Sequence, residues 1–528
     1  MESGNRKAAL AYATAGAGMM AMAIVFVGSA RLPFQDIPHH ELALRLGRAI
    51  ANGGTSSYLD TAPHSAFAYS LYIHLTNLLA GVAGSEGALA IVASMAALTL
   101  PFAVATFAHT CGGSPRWAFV LAMPLALGWH VRMGYVPYSL GVDGAVFWMA
   151  AARVLAEKPT PKAATATLVA ALVTYLGHPL AWVFGAMGVL ATWIFSDRKK
   201  EAFGVLAVIG LVTSAIFTWD TVHAAFRQVP ETAVTWEPSP VVFRPIPTAA
   251  FHVVTRTFGV SHPGHLVPIA AMVAGVVLAL PRATVVPSGD RHVATFLVRT
   301  TVIFLVIAIL TPTALNIGWL IADRFAIFAL VLAIVTASRR LSAEAAWGPL
   351  VIIASGAMGA TLFSVSECHR EARRVARITT PLTARFPAGR YLTYRLTDCG
   401  AGTFDQLWGH TDPLRGAWSY GADLEAMTPY AFAFSRYHPI LYVGSVYAAR
   451  LRAPHEWDVN ESRTAWPREA CEAYDARQVA KARRTRFDGV MVFGEPERVE
   501  DLAVRLGEPP RSRAAPGLVA YARVGEVE

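Results

Sequence analysis

Residues 8–30 of the chain are AALAYATAGAGMMAMAIVFVGSA, and residues 31–41 are RLPFQDIPHHE. The first stretch carries no charge and is longer than the about 20 residues that an α-helix needs to cross a bilayer. The second stretch brings two carboxylates, Asp36 and Glu41, together with two imidazoles. This order predicts a membrane helix that delivers a cluster of ionisable side chains to the membrane surface.

The composition places the whole chain in the membrane class. Of its 528 residues 54% are hydrophobic and 15% are charged, against about 25% charged in soluble globular proteins, and the mean hydropathy is +0.41. The net charge of +9 lies largely in short links between apolar segments, where membrane topology accounts for it. We therefore exclude a nucleic-acid partner and expect the lipid bilayer instead. Frequent Ala and Arg are typical of a bacterium with GC-rich DNA.

Apolar segments predict an all-α polytopic membrane domain over residues 1–365, with about 11–13 transmembrane helices. The segments lie at 8–30, 64–84, 87–110, 117–131, 134–152, 163–177, 179–195, 202–219, 263–281, 294–312, 318–337 and 346–365.

Basic links between these segments predict their orientation. The links that follow Arg153 and that contain 197–200, 282–299 and 339–340 are assigned to the cytoplasm, because Lys and Arg concentrate there. External loops are then expected at 31–63 and 220–262, in a bacterial inner (plasma) membrane.

The alternation of inner and outer loops that these assignments require fails at one place. Four apolar segments lie between the outer loop of Asp36 and the inner link after Arg153, where an odd number is required. The stretch WHVRMGYVPY at 129–138 is short and polar, so we expect it to be broken or re-entrant. Such backbone is tolerated at membrane depth only where protein covers it or where it lines a cavity.

About half of all charged residues lie after residue 365, which predicts a small soluble α/β domain over 366–528, outside the cytoplasm. Its expected strands and helices lie at 390–396, 488–494 and 517–523, and at 467–484 and 497–506 respectively.

Two of the four cysteines, Cys399 and Cys471, fall in this C-terminal domain. An exported domain is where a disulfide persists. Pairing of these two competes with pairings that use Cys111 or Cys368. The sequence shows no metal-ligand spacing of cysteines, no Gly-rich phosphate loop and no Ser nucleophile motif.

The polar cluster leads into an amphipathic helix. Leu42, Leu46 and Ile50 recur on one helical face, so the helix is expected to lie along the outer membrane surface. Asp36 and Pro38 occupy its start, where a carboxylate commonly caps free backbone N–H groups and a proline fits the first turn.

The order of motifs resembles a known superfamily. A first span, an external loop with an early Asp, an amphipathic helix that ends in Gly-Gly and the stretch DTAPHSAFAY at 60–69 are similar to the GT-C superfamily of membrane glycosyltransferases. Further similar stretches are GYVPYSLG at 134–141, YLGHP at 175–179 and DRF at 323–325. The resemblance covers residues 8–365.

The resemblance implies transfer of a sugar from a polyprenyl-phosphate carrier to a glycan, lipid or protein acceptor. It also implies a catalytic carboxylate at the position of Asp36, which could take the proton of the acceptor hydroxyl. Arg324 lies within a span and could stabilise the departing lipid phosphate; a structural ion pair is the other interpretation of this arginine. Further substrate-binding candidates are His64, Arg132, Asp143 and His178, and Asp220 also lies at a predicted span end.

A metal site is a second hypothesis for the same cluster. Many members of the superfamily carry paired acids, but position 37 is Ile, and His39, His40 and Glu41 follow. These three side chains with Asp36 could hold a divalent metal cation, because imidazole and carboxylate suit several transition metals. Helical spacing rotates Glu41 away from the others. The imidazoles could instead meet lipid head groups.

Two other function classes stay open. A lipid-linked sugar flippase or transporter would use Arg132, Asp143 and Arg324 as a substrate pathway. A non-catalytic GT-C-like envelope protein would bind a lipid-linked glycan without turning it over, and the missing second acid is compatible with that reading.

Overall fold

The computed structural model contains a helical membrane domain followed by a small domain of strands and helices. The residues that it describes are 2–29, 31–34, 36–55, 59–61, 67–194, 199–226, 239–279, 291–312, 314–316, 318–319, 321–341, 346–379, 389–396, 426–427, 440–442, 467–484, 487–494, 496–506, 512–515 and 518–522.

Each of the predicted apolar segments coincides with a helix or with part of one. The helices of the membrane domain are α1 (Glu2–Gly28), α2 (Ile37–Ala51), α3 (Ser70–Thr110), α4 (Pro115–Ala122), α5 (Trp129–Arg132), α6 (Val136–Glu157), α7 (Pro161–Gly177), α8 (Pro179–Ile194), α9 (Lys199–Phe226), α10 (Ile246–Thr257), α11 (Leu266–Ala279), α12 (Arg291–Leu310), α13 (Ile321–Ser338) and α14 (Trp347–Thr379).

Among the described residues, six helices are long and apolar enough to span a membrane, namely α1, α3, α6, α9, α12 and α14. The chain is therefore a multi-pass membrane protein. Helices such as α8 and α11 are apolar but shorter, and the predicted number of 11–13 spans includes helices of this kind. Their buried faces join the spanning helices in one apolar core.

The stretch between α3 and α6 is broken, as predicted. Helix α4 has eight residues, which rise about 12 Å, and a 3-10 turn at Met123–Leu125 and the single turn of α5 follow it. This is far less than one helix across the about 30 Å of a bilayer core. A second break lies within α3, where Gly84 has a left-handed φ of +72°.

Two amphipathic helices accompany the spans. Helix α2 buries Leu42 and Leu46, as the sequence predicts. Helix α10 buries Ala249 and Val253 while Ile246 is exposed. With the last turns of α9, α10 occupies parts of the predicted external loop 220–262. Three short strands, β2 (Ser239–Val242), β3 (Ala314–Asn316) and β4 (Gly318–Trp319), form an antiparallel sheet; β2 precedes α10 in the chain, and β3 and β4 precede α13.

Helix α14 continues through the predicted domain boundary at residue 365 and ends at Thr379. The C-terminal domain contains β5 (Gly389–Arg395), β6 (Ala426–Met427), β7 (Ile440–Tyr442), α15 (Arg468–Ala482), β8 (Gly489–Phe493), α16 (Pro496–Arg505), β9 (Ser512–Ala515) and β10 (Leu518–Ala522).

Five of these strands form one mixed sheet in the order β6-β5-β8-β10-β9. Strand β5 is parallel to β6 and β8, and β10 is antiparallel to β8 and β9. This confirms the small α/β domain. Cys471 is disulfide-bonded, Cys111 and Cys368 are free, and Cys399 lies outside the described residues.

The C-terminal domain contacts the loop between α2 and α3 directly. Strand β1 (Leu59–Thr61) pairs antiparallel with β7, and Asp60 lies opposite Leu441. The loop between α2 and α3 is thus tied to the C-terminal domain by main-chain hydrogen bonds.

Candidate active site

Asp36 directly precedes α2, but it does not cap the helix with its side chain. The carboxylate makes no capping hydrogen bond to the first turn, whereas the main-chain carbonyl of Asp36 accepts from the N–H groups of His39 and His40 at 3.1 and 3.2 Å. Pro38 occupies the first turn, as predicted. The N-cap interpretation of the Asp36 carboxylate is therefore wrong. The capping geometry is supplied by the backbone, so the carboxylate is not required for it.

The backbone of Asp36 packs against the broken segment. Its N–H group donates to the carbonyl of Met133 at 3.0 Å. Gly134 has φ +77°, and a Cβ atom there would lie 2.8 Å from the Asp36 nitrogen and 3.0 Å from the nitrogen of Ile37. A side chain does not fit at such a separation, so glycine permits both the left-handed turn and the close approach.

The two imidazoles and Glu41 have separate surroundings. His40 has a hydrogen bond to the backbone of Gly134 and packs edge-on against Tyr72, with ring centroids 5.1 Å apart. Burial lowers the pKa of His40 to about 4, although the bond to Gly134 opposes the shift. His39 is buried as well. His40 is therefore neutral at pH 7 and holds α2 against the broken segment.

Glu41 belongs to an ion pair. Its carboxylate lies 3.5 Å from the Arg31 guanidinium, which also contacts Glu86 at 2.7 Å. Burial raises the pKa of Glu41 to about 7, and the charge of Glu86 adds to the shift. Among the described residues, no three His, Cys, Asp or Glu side chains lie close enough together to hold a metal ion. The donor set predicted from His39, His40 and Glu41 is thus not assembled.

Arg324 on α13 lies on two tyrosine rings of the broken segment and of α6. Its guanidinium carbon is 4.6 Å from the ring centroid of Tyr135 and 5.3 Å from that of Tyr138. The hydroxyl of Tyr138 donates to the carbonyl of Arg324 at 2.6 Å. The Nε atom of Arg324 is buried and has no hydrogen-bond partner in the part of the chain that the structure describes. Aromatic faces stabilise the cation without using its N–H donors.

The neighbouring Asp323 binds two further arginines. Its carboxylate is 2.6 Å from Arg244 and 3.1 Å from Arg256, and its side chain is almost fully buried. Arg256 also lies 5.4 Å from the ring of Trp129, and the Trp129 ring is 5.7 Å from that of Tyr135. We refer to Asp323, Arg324, Arg244 and Arg256 together as the arginine cluster: Asp323 binds Arg244 and Arg256, and the ring contact between Trp129 and Tyr135 connects Arg256 to Arg324.

The predicted substrate-binding residues do not include Arg244 or Arg256. A signal for both was present in the sequence, because two arginines in a loop that is predicted to be external run against the positive-inside rule. A carboxylate within a span also requires a partner, and Asp323 was not matched with one.

Arg132 is bound in a different way. Its guanidinium donates to the carbonyl of Gly259 at 2.5 Å and lies 3.7 Å from the Glu367 carboxylate on α14. Glu367 also accepts from Ser261 and Arg370. This arrangement fits an anchor that holds α5 to α14, because the Gly259 carbonyl and the Glu367 carboxylate both engage the Arg132 guanidinium.

His178 and Asp143 differ in their surroundings. The His178 ring packs edge-on against Tyr138 at 5.2 Å and Tyr69 at 5.0 Å, next to Arg324. Asp143 is buried in α6, and its Oδ2 atom has no hydrogen-bond partner among the described residues. His64 lies outside the described residues. The structure thus places His178 and Arg324 together, and it links Asp36 to them through Met133, Gly134 and Tyr135.

The comparisons with known proteins concern the fold. No protein-family model and no curated protein sequence matches the chain. Solved structures do match. ArnT from Cupriavidus metallidurans bound to undecaprenyl phosphate aligns with a TM-score of 0.52 and 12% identity over 98% of both chains. Arabinofuranosyltransferase AftD from Mycobacteria aligns with a TM-score of 0.50 and 14% identity over 98% of this chain and 40% of AftD.

A second structure of ArnT, in the apo state, aligns with a TM-score of 0.50 and 13% identity over 96% of this chain and 97% of that one. At such low identity the similarity concerns architecture, and it extends over both domains. The chain therefore has a GT-C-like fold, a helical multi-pass membrane domain followed by a small α/β domain.

Proposed function

We propose that the protein is a membrane glycosyltransferase that moves a sugar from a polyprenyl-phosphate carrier to an acceptor hydroxyl at the outer face of a bacterial inner membrane. The acceptor is a glycan, a lipid or a protein. The single observation that carries this proposal is the arginine cluster, because it adjoins the same broken segment that packs against Asp36.

The reaction requires a base on one side and a cation on the other. The acceptor oxygen attacks the anomeric carbon, its proton passes to the Asp36 carboxylate, and the bond from the anomeric carbon to the phosphate oxygen breaks. A positioned general base of this kind contributes about 10²- to 10⁴-fold. The electron pair leaves with the lipid phosphate, whose negative charge rises.

The arginine cluster suits that leaving group. The cluster has a net charge of +2, one positive charge on Arg324 and one that remains after Asp323 pairs with Arg244 and Arg256, and this sum matches a phosphomonoester dianion. Arg324 is the member whose buried Nε atom has no hydrogen-bond partner among the described residues. Arginine binds phosphate oxygens in a bidentate manner. Fixed cations where charge develops stabilise the transition state more than the ground state. Because the described residues do not assemble a metal-binding set, we derive no step through a metal ion.

The contacts of Arg132 argue against the transporter alternative, which requires this residue in its substrate pathway. A pathway through Arg132 needs that guanidinium to exchange partners with the substrate, but Arg132 is engaged by Gly259 and Glu367. The glycosyltransferase proposal does not depend on Arg132.

The test uses purified protein in detergent and a polyprenyl-phosphate sugar. Wild-type protein is expected to release the lipid phosphate and to form a new glycosidic bond. Asp36→Asn is expected to lower that rate by about 100-fold or more, while thermal unfolding stays unchanged. Glu41→Gln is the matched control, since it neutralises a nearby acid that is paired with Arg31.

Full activity of Asp36→Asn would contradict the role of this residue as the base. Movement of labelled lipid across proteoliposomes without a new glycosidic bond would instead identify a flippase.

A further inference from the structure

Asp220, near the end of α9, binds the chain just before α3. One carboxylate oxygen accepts from the N–H group of Phe67 at 2.8 Å, and the other accepts from the N–H group of Ala68 at 2.7 Å. The hydroxyl of Tyr175 donates to that second oxygen at 2.8 Å. Asp220 is 3% exposed. An ionised carboxylate only accepts hydrogen bonds, so three converging donors match it and an amide would not.

The residue that follows this clamp has an uncommon backbone conformation. Tyr69 has φ +63°, and among the described residues it is the one non-glycine residue with positive φ. A bulky side chain in the left-handed region persists where the surrounding structure enforces it. The two hydrogen bonds of Asp220 to the preceding N–H groups provide that restraint.

The left-handed turn directs the Tyr69 ring to the candidate active site. The ring meets His178 at 5.0 Å, and His178 meets Tyr138 at 5.2 Å. Tyr138 in turn lies beneath Arg324. The N–H group of Leu180 donates to Nδ1 of His178 at 3.1 Å, which places the proton of the neutral imidazole on Nε2. His178 therefore carries a hydrogen-bond donor on Nε2.

We propose that Asp220 is a positioning residue, which holds residues 67–69 so that Tyr69 and His178 form the side of the arginine cluster that binds the donor sugar. The inference rests on the proposed function for the identity of the ligand. The clamp itself depends only on the contacts of Asp220. Asp220 does not touch substrate, and its effect on the reaction passes through Tyr69.

Hydrogen exchange tests the clamp without any substrate. In Asp220→Asn the side-chain NH2 group opposes at least one of the donors that the carboxylate accepted. Exchange of the Phe67 and Ala68 amides is expected to accelerate by about tenfold or more, because protection reports the local opening of those bonds. Tyr175→Phe is the matched control, since it removes the third donor and leaves both amides an acceptor; their exchange should stay near the wild-type rate. Unchanged exchange in Asp220→Asn would overturn the proposal.

Kinetics test the consequence for the reaction. In Asp220→Asn the KM for the polyprenyl-phosphate sugar is expected to rise by about tenfold with kcat within about twofold, because a displaced ring weakens binding of the donor. Tyr69→Asn provides a second variant, since Asn tolerates the left-handed region and lacks the ring; it should raise KM and leave the exchange of the two amides unchanged. A lower kcat at constant KM in both variants would overturn the positioning role.

The two proposals fail in different ways. If wild-type protein transfers no sugar while Asp220→Asn accelerates exchange, the clamp stands and the proposed function fails. If transfer occurs and exchange is unaltered, only the positioning role of Asp220 fails.

Discussion

Arg132 and Arg324 look alike in the sequence but have opposite surroundings in the fold. Both lie among apolar segments, and both were predicted to bind substrate. Arg132 is engaged by the Gly259 carbonyl and the buried Glu367 carboxylate. Arg324 rests on the faces of Tyr135 and Tyr138, and its buried Nε has no partner among the described residues.

The difference shows what distinguishes a structural arginine from a ligand-binding one. An ion pair with its hydrogen bonds filled leaves a guanidinium little to offer a ligand, and removing one partner leaves the other charge buried. Tyrosine faces stabilise the cation and leave its N–H donors unused. The broken segment connects both arginines, because Arg132 belongs to it and Tyr135 follows three residues later.

The largest expected effect is on stability at Arg132. Arg132→Ala should lower the free energy of unfolding by about 3 kcal/mol, because the buried Gly259 carbonyl loses its charged donor and Glu367 loses one of its two cations, retaining Arg370. Thermal or denaturant unfolding in detergent measures the change. The double variant Arg132→Ala/Glu367→Ala should lose less than the sum of the two single variants. If the Arg132→Ala protein has wild-type stability but no activity, Arg132 binds substrate and is not a structural anchor.

The next effect is on activity at Arg324. Arg324→Gln should reduce kcat/KM for the lipid-linked donor by about 100-fold, corresponding to about 2.7 kcal/mol of lost transition-state stabilisation. Its unfolding midpoint should remain within a few degrees of the wild type. The transfer assay and an unfolding scan on the same sample separate the two readouts. A large loss of stability with little change in kcat/KM would make Arg324 structural as well.

The smallest effect concerns the broken segment that carries Arg132 and Tyr135, at the point where its Gly134 contacts the backbone of Asp36. Gly134→Ala and Gly84→Ala both place a side chain at a left-handed φ, at +77° and +72°, which should cost each variant about 1–2 kcal/mol of stability; Gly134→Ala should lose more than Gly84→Ala, because its Cβ atom also meets backbone. Only at Gly134 would the new Cβ atom meet the backbone of Asp36, while the position at Gly84 has open space within 4 Å. Gly134→Ala should therefore lower kcat on the order of tenfold, and Gly84→Ala should not. Equal kcat values in the two variants would refute the coupling of Gly134 to Asp36.

Local patterns predicted much of the architecture. The apolar segments, the amphipathic helix after Asp36, the broken stretch at 129–138 and the C-terminal strands are all present, because each depends on residues near in sequence. Asp36 does occupy the N-cap position, but the prediction that its carboxylate caps the helix was wrong, since the main chain satisfies the helix start. The described residues do not bring His39, His40 and Glu41 together as a metal-binding set; His40 and Glu41 contact Gly134 and Arg31 instead.

The sequence by itself determined that the chain crosses a membrane many times, carries a separate α/β domain and presents an acid behind its first span. Those properties follow from hydrophobicity and its period along the chain. Only the tertiary structure decided which buried charges are paired. Arg244 and Arg256 reach Asp323 across 79 and 67 residues, and Asp220 reaches Phe67 across 153. Contacts over such separations depend on how the helices pack, and no local pattern encodes them.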